Sequence, residues 1–299
     1  MASFHLLLIA ILQGLTEFLP VSSSGHLILL PKLTGLEDQG QTIDVAVHIG
    51  TLGAVILYFW RDVRMAVGGV PRMIYGKLDT PGANLAFLLI IATGPVVLFG
   101  LMLKLTGLSE LMRGSIALIG WTMLGFGGLL WWCDKTGATE KTAENWSLRH
   151  AIILGLWQAL ALIPGTSRSG ICITGARRLG YGREGAAKLS MLMSIPTIIA
   201  SGVLLSAEVA TTADYALVKD AALAAVFAFI AALGALVLMM RLLKTVSFTP
   251  YVIYRVVLGL GLLAWAYAKL RDRSETKPTQ STLWQTGDRA DPITPTLQK

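Results

Sequence analysis

Residues 10–30 read AILQGLTEFLPVSSSGHLILL, and residues 155–175 read GLWQALALIPGTSRSGICITG. Both segments begin as an apolar helical pattern, break at a proline and continue through a turn rich in serine and glycine. Interrupted apolar segments at matching places in two halves of a chain are the best sequence indication of an intramembrane site. The pair therefore predicts a fold of two related halves, with a site where the two breaks meet.

The composition is that of a membrane protein. Hydrophobic residues make up 54% of the 299 residues, charged residues make up only 14%, and the mean hydropathy is +0.63. Soluble domains carry about 25% charged residues. We attribute the net charge of +7 to cytoplasmic loops that face anionic membrane lipids, and not to nucleic-acid binding. Cys133 and Cys172 form no disulfide pattern.

About 20 apolar residues cross a bilayer. Six segments are long enough, at 44–60, 84–104, 114–132, 185–206, 217–240 and 250–268. The broken segments 4–33 and 149–175 differ, because each half has about 10–14 residues and is too short to span. We interpret both as re-entrant helical hairpins, which must be covered by protein or line an aqueous cavity. The predicted fold class is an all-α polytopic membrane protein with six transmembrane helices and two re-entrant hairpins.

The order of segments predicts two inverted repeats. Each half has one hairpin and three spans, and because three is odd, the second half must be inverted relative to the first. The hairpins then enter from opposite faces and meet near the middle of the membrane. We predict one integral membrane domain over residues 1–271, with repeats at about 1–132 and 149–271, and a disordered polar tail at 272–299.

Basic residues orient this arrangement. Thirteen of those in the predicted loops fall on one side and four on the other, before the tail is counted. Cytoplasmic loops carry the excess of Lys and Arg, so the larger group predicts the cytoplasmic side and both termini face outward. The cluster directly after the last span opposes this orientation; it consists of Lys269, Arg271, Arg273 and Lys277.

The first break carries a carboxylate in apolar surroundings. Gln13 and Glu17 are four residues apart and share one helix face. Pro20 ends that helix because it cannot continue the backbone hydrogen-bond ladder. An ionisable side chain at this depth is expensive and indicates function.

Serine hydroxyls and an imidazole follow that carboxylate. Ser22, Ser23 and Ser24 can cap the next helix, which is the ordinary role of serine at such a position. His26 lies four residues after Ser22 and three after Ser23, so either hydroxyl could face its ring. A hydroxyl beside an imidazole with a carboxylate nearby is the general arrangement of an activated nucleophile.

The second break supplies groups that bind anions. Arg168 offers a planar fork suited to phosphate oxygens, and backbone N–H groups at a helix start bind anions well. A purely structural ion pair between Arg168 and Glu17 is the alternative. Together the two breaks predict a site for an anionic, phosphorylated headgroup. The roles of His48 and Arg255 stay open between function and structural hydrogen bonding.

These residues resemble the undecaprenyl-diphosphate phosphatase family, which is also known for bacitracin resistance. The first family signature is E/Q-x-x-x-E followed by a Pro-Val-Ser-Ser-(Ser/Thr)-Gly-His turn, which Gln13, Glu17 and residues 20–26 match. The second is Pro-Gly-x-Ser-Arg-Ser-x-x-Thr, which begins here at Pro164. The resemblance covers nearly the whole chain before the tail and includes HIGTLGA (48–54) and YRVVLG (254–259).

The resemblance implies hydrolysis of undecaprenyl diphosphate to undecaprenyl phosphate and phosphate, which recycles the lipid carrier of cell-wall synthesis. The chain would then lie in the bacterial cytoplasmic (inner) membrane, with its active site facing outward. Its partners would be the polyprenyl diphosphate lipid and membrane lipids, and a homodimer stays open. A transporter or flippase for such a lipid is the alternative, since broken helices in inverted repeats suit alternating access.

The resemblance also assigns ligands. Glu17 would bind a divalent cation, Mg²⁺ or Ca²⁺, or act as a base. Arg168 would bind the diphosphate. The remaining residues of the expected substrate site are Gln13, Ser22, Ser24, Gly165, Ser167 and Ser169.

The resemblance makes Ser23 the leading candidate for the nucleophile, with His26 as its activator or as a proton donor. Direct attack by water is the alternative. Two positions depart from the strongest form of the pattern. Gln13 replaces the first carboxylate, which weakens a mechanism that needs two, and Cys172 stands where the second signature has threonine.

Overall fold

The computed structural model describes residues 3–35, 40–209 and 215–275. Over these ranges the chain is helical, with one isolated β-bridge between Lys141 and Tyr181 and no strand. The helices are α1 (Ser3–Phe18), α2 (Ser23–Thr34), α3 (Gly40–Tyr58), α4 (Trp60–Ile74), α5 (Pro81–Leu105), α6 (Leu108–Arg113), α7 (Ile116–Thr136), α8 (Leu148–Ala159), α9 (Arg168–Arg178), α10 (Arg183–Val209), α11 (Tyr215–Leu242) and α12 (Thr249–Glu275), with short 3₁₀ turns at Ala143–Asn145 and Leu160–Leu162.

Five helices in the described part of the chain are long and apolar enough to cross a membrane. They are Pro81–Leu105, Ile116–Thr136, Arg183–Val203, Leu217–Leu242 and Thr249–Arg271. Each of them overlaps a segment that the sequence predicts as a span. These helices mark the chain as a multi-pass membrane protein.

The sixth predicted span, 44–60, coincides with α3. This helix reaches the length and hydropathy of a span only together with α4, and the two are bent by 93° at their junction. The apolar pattern of the sequence does not predict α4, because the arginines of this helix interrupt the apolar run by which spans are recognised. At the other end, α12 continues to Glu275, past the predicted domain limit of 271. Most of the predicted tail, residues 276–299, lies outside the described residues.

Both predicted breaks are helix–turn–helix units. Within the described residues, Ser22 and Ser167 are the two non-glycine residues with positive φ, at 74° and 72°. Each is the N-cap of the next helix, and its hydroxyl accepts from the N–H three residues on, at Gly25 and Gly170. A left-handed serine costs about 1–2 kcal/mol. Both turns therefore hold a strained serine cap of the same kind at the start of the second helix.

The first arm of each broken unit packs on a long helix of the other half. α1 lies along α11, and α8 lies along α5. A glycine on each arm makes the approach close, since a Cβ on Gly14 would lie 2.7 Å from the carbonyl oxygen of Ala228. One on Gly155 would lie at the same distance from the carbonyl oxygen of Ala92. Small residues allow such backbone contact between membrane helices, so α1 packs closely on α11 and α8 packs closely on α5.

The close contact at Gly14 yields a stability prediction. Gly14→Ala places a methyl group against Ala228 and Ala231 and should lower stability by about 1–3 kcal/mol, because packed helices cannot separate without losing other contacts. Gly234→Ala on α11 is the matched control, since no atom lies within 4 Å of its added methyl. We expect that control to be neutral or stabilising by up to about 1 kcal/mol. Thermal unfolding in detergent measures both, and equal melting temperatures would contradict the packing.

Candidate active site

Glu17 lies at the centre of the polar groups that the two turns bring together. Its side chain is only 5% exposed. The Nε2 of Gln13 donates to Oε2 over 2.9 Å, and the Oγ of Ser23 donates to the same oxygen over 2.7 Å. The Nη2 of Arg168 donates to Oε1 over 2.7 Å. One buried carboxylate thus gathers an amide, a hydroxyl and a guanidinium.

The contact between Glu17 and Arg168 joins the two broken units across the molecule. The two residues are 151 positions apart in the sequence. The Arg168 side chain is 14% exposed, so both charges are largely withdrawn from water. Removing one member of such a pair leaves an uncompensated buried charge, which costs about 3–5 kcal/mol. The Nη1 of Arg168 is buried and has no partner in the described part of the chain, so the fork keeps one donor for a ligand.

His48, on α3, faces the same carboxylate. Its Nε2 lies 3.9 Å from the Oε2 of Glu17. Its Nδ1 lies 2.7 Å from the carbonyl oxygen of Asp44, which fixes the proton on Nδ1 and turns Nε2 toward the site. The side chain is 37% exposed, so it stands at the entrance to the buried groups. His48 thus lies beside Glu17 and is also hydrogen-bonded to the backbone of its own helix.

His26 has a different environment from the predicted one. Its Nδ1 lies 2.6 Å from the carbonyl oxygen of Ser22, and its Nε2 is hydrogen-bonded to the Oη of Tyr254. The two rings are stacked with centroids 5.6 Å apart. Both ring nitrogens are therefore occupied, and neither faces a serine hydroxyl. The expected contact between imidazole and hydroxyl is wrong in this conformation, because the left-handed cap at Ser22 presents its carbonyl to the ring while Ser23 turns to Glu17.

The serines of the second turn hold the two turns together. The Oγ of Ser167 accepts from the N–H of Gly170 and lies 3.2 Å from the Oγ of Ser169. The latter donates to the carbonyl oxygen of Leu19 over 2.9 Å. Ser167 is thus a cap, and Ser169 ties the second turn to the first. The side chain of Ser24, which the sequence also placed in the site, lies outside the described residues.

Arg255 braces the second turn from α12. It is fully buried, and its Nη2 donates to the carbonyl oxygen of Gly165 over 3.2 Å while its Nε donates to that of Met123 over the same distance. Thr122 adds a bond of 2.6 Å to the carbonyl oxygen of Pro164. Gly165 has φ +87°, and a Cβ there would lie 2.7 Å from the carbonyl oxygen of Ile119. Arg255 therefore donates to backbone carbonyls, including that of Gly165 in the second turn, and its Nη1 is buried without a partner among the described groups.

Cys172, which stands where the second signature has threonine, is a buried residue of the helix packing. Cys172 is 1% exposed and forms no disulfide. Thr174, two positions on, donates to the carbonyl oxygen of Gly170 within its own helix. Neither side chain is hydrogen-bonded to Glu17 or Arg168 in the described contacts.

The residues around Glu17 fit a cation that is shared with a phosphate. The described residues contain no group of three His, Cys, Asp or Glu side chains that could hold a metal by themselves. A carboxylate has about four lone-pair sites, of which three are used here. The Oε1 of Gln13 is buried without a partner among the described groups. Mg²⁺ commonly binds one or two carboxylates and completes its shell with substrate phosphates.

The family model of the bacitracin resistance protein BacA matches residues 6–261. The chain belongs to this family. Both turns, His48 and the Tyr254–Arg255 pair lie inside the matched range. The family match thus covers every described group of the site.

Similar proteins cover the same region. A protein of Ruegeria pomeroyi named undecaprenyl-diphosphatase is 69% identical over 268 residues, which are 90% of this chain and all of that protein. One of Dinoroseobacter shibae with the same name is 70% identical over the same shares. Undecaprenyl-diphosphatase 1 of Rhodospirillum rubrum is 46% identical over 89% of this chain and 96% of its own length.

Proposed function

We propose that this chain hydrolyses undecaprenyl diphosphate to undecaprenyl phosphate and inorganic phosphate. Family membership and the names of relatives at 69% and 70% identity support this activity. The structural observation that carries it is a single buried site in which a carboxylate, a hydroxyl and an arginine fork converge. A transporter or flippase is not favoured, because those relatives are named as phosphatases.

The proposed setting is the bacterial cytoplasmic membrane, with six spans, two re-entrant hairpins and inverted repeats. The paired packing of α1 on α11 and of α8 on α5 supports the repeats. The equivalent positions of the two turns support them as well, since Ser22 and Ser167 are separated by the same number of residues as Gly25 and Gly170. The excess of basic residues in the predicted cytoplasmic loops supports a site that opens outward.

In this proposal Arg168 binds the diphosphate. Its unpartnered Nη1 can donate to a phosphate oxygen while Nη2 keeps its bond to Glu17. The N–H groups at the start of α9 add further donors for an anion. Ser22, Ser167, Ser169 and Gly165 contribute by holding the backbone of the two turns in shape.

We further propose that Glu17 and the Oε1 of Gln13 hold a divalent cation, Mg²⁺ or Ca²⁺, together with the substrate. When bound, the cation neutralises negative charge on the phosphoryl group that is transferred. The single carboxylate supports a cation that binds with the substrate rather than before it, because the described residues offer few other anionic ligands.

Ser23 is the proposed nucleophile. Its hydroxyl already donates to Glu17 over 2.7 Å, so the carboxylate can take the proton as the Oγ bonds to the terminal phosphorus. The bridging P–O bond then breaks, undecaprenyl phosphate leaves, and water releases phosphate from the serine. We assign the base role to Glu17 rather than to His26, because both ring nitrogens of His26 are already bonded, one to the carbonyl oxygen of Ser22 and the other to the hydroxyl of Tyr254. A role of His26 as the proton donor to the departing oxygen would require its Nε2 to leave Tyr254.

Arg168 gives the first test. Arg168→Ala should lower kcat/KM for phosphate release at least about a hundredfold, because one donor to developing charge contributes about 10²–10³ in rate. Arg178→Ala, at the exposed end of the same helix, is the matched control and should stay near wild type. Release from purified protein is measured with Mg²⁺, with Ca²⁺ and with a chelator. Near-normal turnover of a folded Arg168→Ala protein would remove Arg168 from the site, and no release by wild type would overturn the activity.

Ser23 gives the second test. Ser23→Ala should reduce phosphate release to background if the serine is the nucleophile, and acid quenching of wild type during turnover should trap phosphoserine at residue 23. Direct attack by water instead predicts a substantial residual rate in Ser23→Ala and no trapped phosphate. Thermal unfolding of the variant checks that its fold is intact.

A further inference from the structure

α4 runs nearly perpendicular to the helix before it. The bend between α3 and α4 is 93° and falls at Phe59. α3 packs along α11, one of the five helices that are long and apolar enough to span, so a helix at this angle to α3 would lie along the membrane surface rather than through it. One face of α4 packs against α5, where Gly69 meets the backbone of Gly82 and Ala83. The orientation of α4 is therefore fixed by protein contacts.

The exposed half of α4 divides into two strips. Trp60, Val67, Pro71 and Ile74 follow one another at intervals of seven, four and three residues, which places them along one line of an α-helix. Trp60, Val67 and Ile74 are 56%, 64% and 72% exposed. This apolar strip has no protein cover in the described part of the chain.

The second strip is basic. Arg61, Arg64 and Arg72 lie beside the apolar strip, at intervals of three and eight residues, and all three are exposed. Arg72 pairs with the exposed carboxylate of Asp79, which holds the pKa of that carboxyl below its usual range. Arg61 and Arg64 have no ion-pair partner among the described residues.

The acidic residue of α4 does not offset these charges. Asp62 lies toward the protein and pairs with the Nζ of Lys188 over 2.8 Å. Two arginines therefore remain at the surface with their charge unopposed, directly beside an apolar strip. A helix with adjacent apolar and basic strips binds at the boundary between acyl chains and headgroups.

We propose that α4 is an interfacial helix whose apolar strip enters the acyl-chain boundary while Arg61 and Arg64 bind phosphates of anionic phospholipids. A soluble protein partner would not need apolar and basic strips divided along the helix in this way. The inference rests on the membrane placement of the fold and is independent of the phosphatase chemistry.

The depth of each strip is the first test. Nitroxide labels are placed one at a time through Val67→Cys, Ile74→Cys, Arg64→Cys and Gly68→Cys in nanodiscs of phosphatidylcholine and phosphatidylglycerol. Cys133 and Cys172 are buried, and labelling of the unsubstituted chain measures their background. Labels at residues 67 and 74 should relax with oxygen, and those at 64 and 68 with an aqueous nickel chelate. Equal accessibility of all four to the nickel chelate would overturn the proposal.

The charge of the second strip is tested by lipid binding. Native mass spectrometry counts phosphatidylglycerol and phosphatidylcholine adducts on the full chain. Arg61→Gln with Arg64→Gln should weaken phosphatidylglycerol binding roughly fivefold per arginine and leave phosphatidylcholine unchanged. Arg61→Lys with Arg64→Lys, which keeps both charges at the same positions, is the matched control and should lose little binding. Unchanged phosphatidylglycerol binding in the first variant, or an equal loss in the control, would overturn the assignment to α4.

Discussion

The ion pair between Glu17 and Arg168 is the interaction on which the rest of the structure depends. Each residue comes from a turn that interrupts an apolar helix, and neither charge is stable alone in such surroundings. The contact of 2.7 Å therefore requires the two turns to meet. Two further contacts hold the turns together. The Oγ of Ser169 donates to the carbonyl oxygen of Leu19, and α1 packs on α11 while α8 packs on α5. The site therefore forms where the carboxylate of the first turn and the guanidinium of the second turn neutralise each other.

The ion pair between Glu17 and Arg168 also explains how the proposed site can act on a phosphorylated lipid. Glu17 collects Gln13, Ser23 and Arg168, so the proposed base, nucleophile and phosphate ligand are in contact before substrate binds. Turns that are capped by strained serines and braced by Arg255 hold this geometry through contacts within the protein. Such preorganised donors contribute most where charge develops in a dry site. In the proposed function the polyprenyl chain would stay in the lipid, where its apolar surface is stable.

Much of this could be predicted from the sequence, because the strongest signals are physical ones. Long apolar runs predicted the five helices long enough to span, and proline followed by serine and glycine predicted both breaks. The cost of buried charge singled out Glu17 and Arg168. The predictions that failed depended on contacts that are seen only in the folded chain. Tyr254 lies more than two hundred positions from His26 in the sequence. Its hydroxyl is hydrogen-bonded to the Nε2 of His26, whereas the local spacing had predicted a serine hydroxyl beside that ring. α4 was missed because a helix that lies along a surface has no long apolar run.

A double-mutant cycle on Glu17 and Arg168 tests the central contact most directly. Unfolding free energies are measured in mixed micelles for Glu17→Gln, Arg168→Met and the double variant, with a control cycle that pairs Glu17→Gln with Arg178→Met. Each single change should cost about 3–5 kcal/mol, and the double variant should lose little more than either one, because the second change removes a charge that the first left unpaired. Additive losses, within about 0.5 kcal/mol and matching the control cycle, would contradict the account.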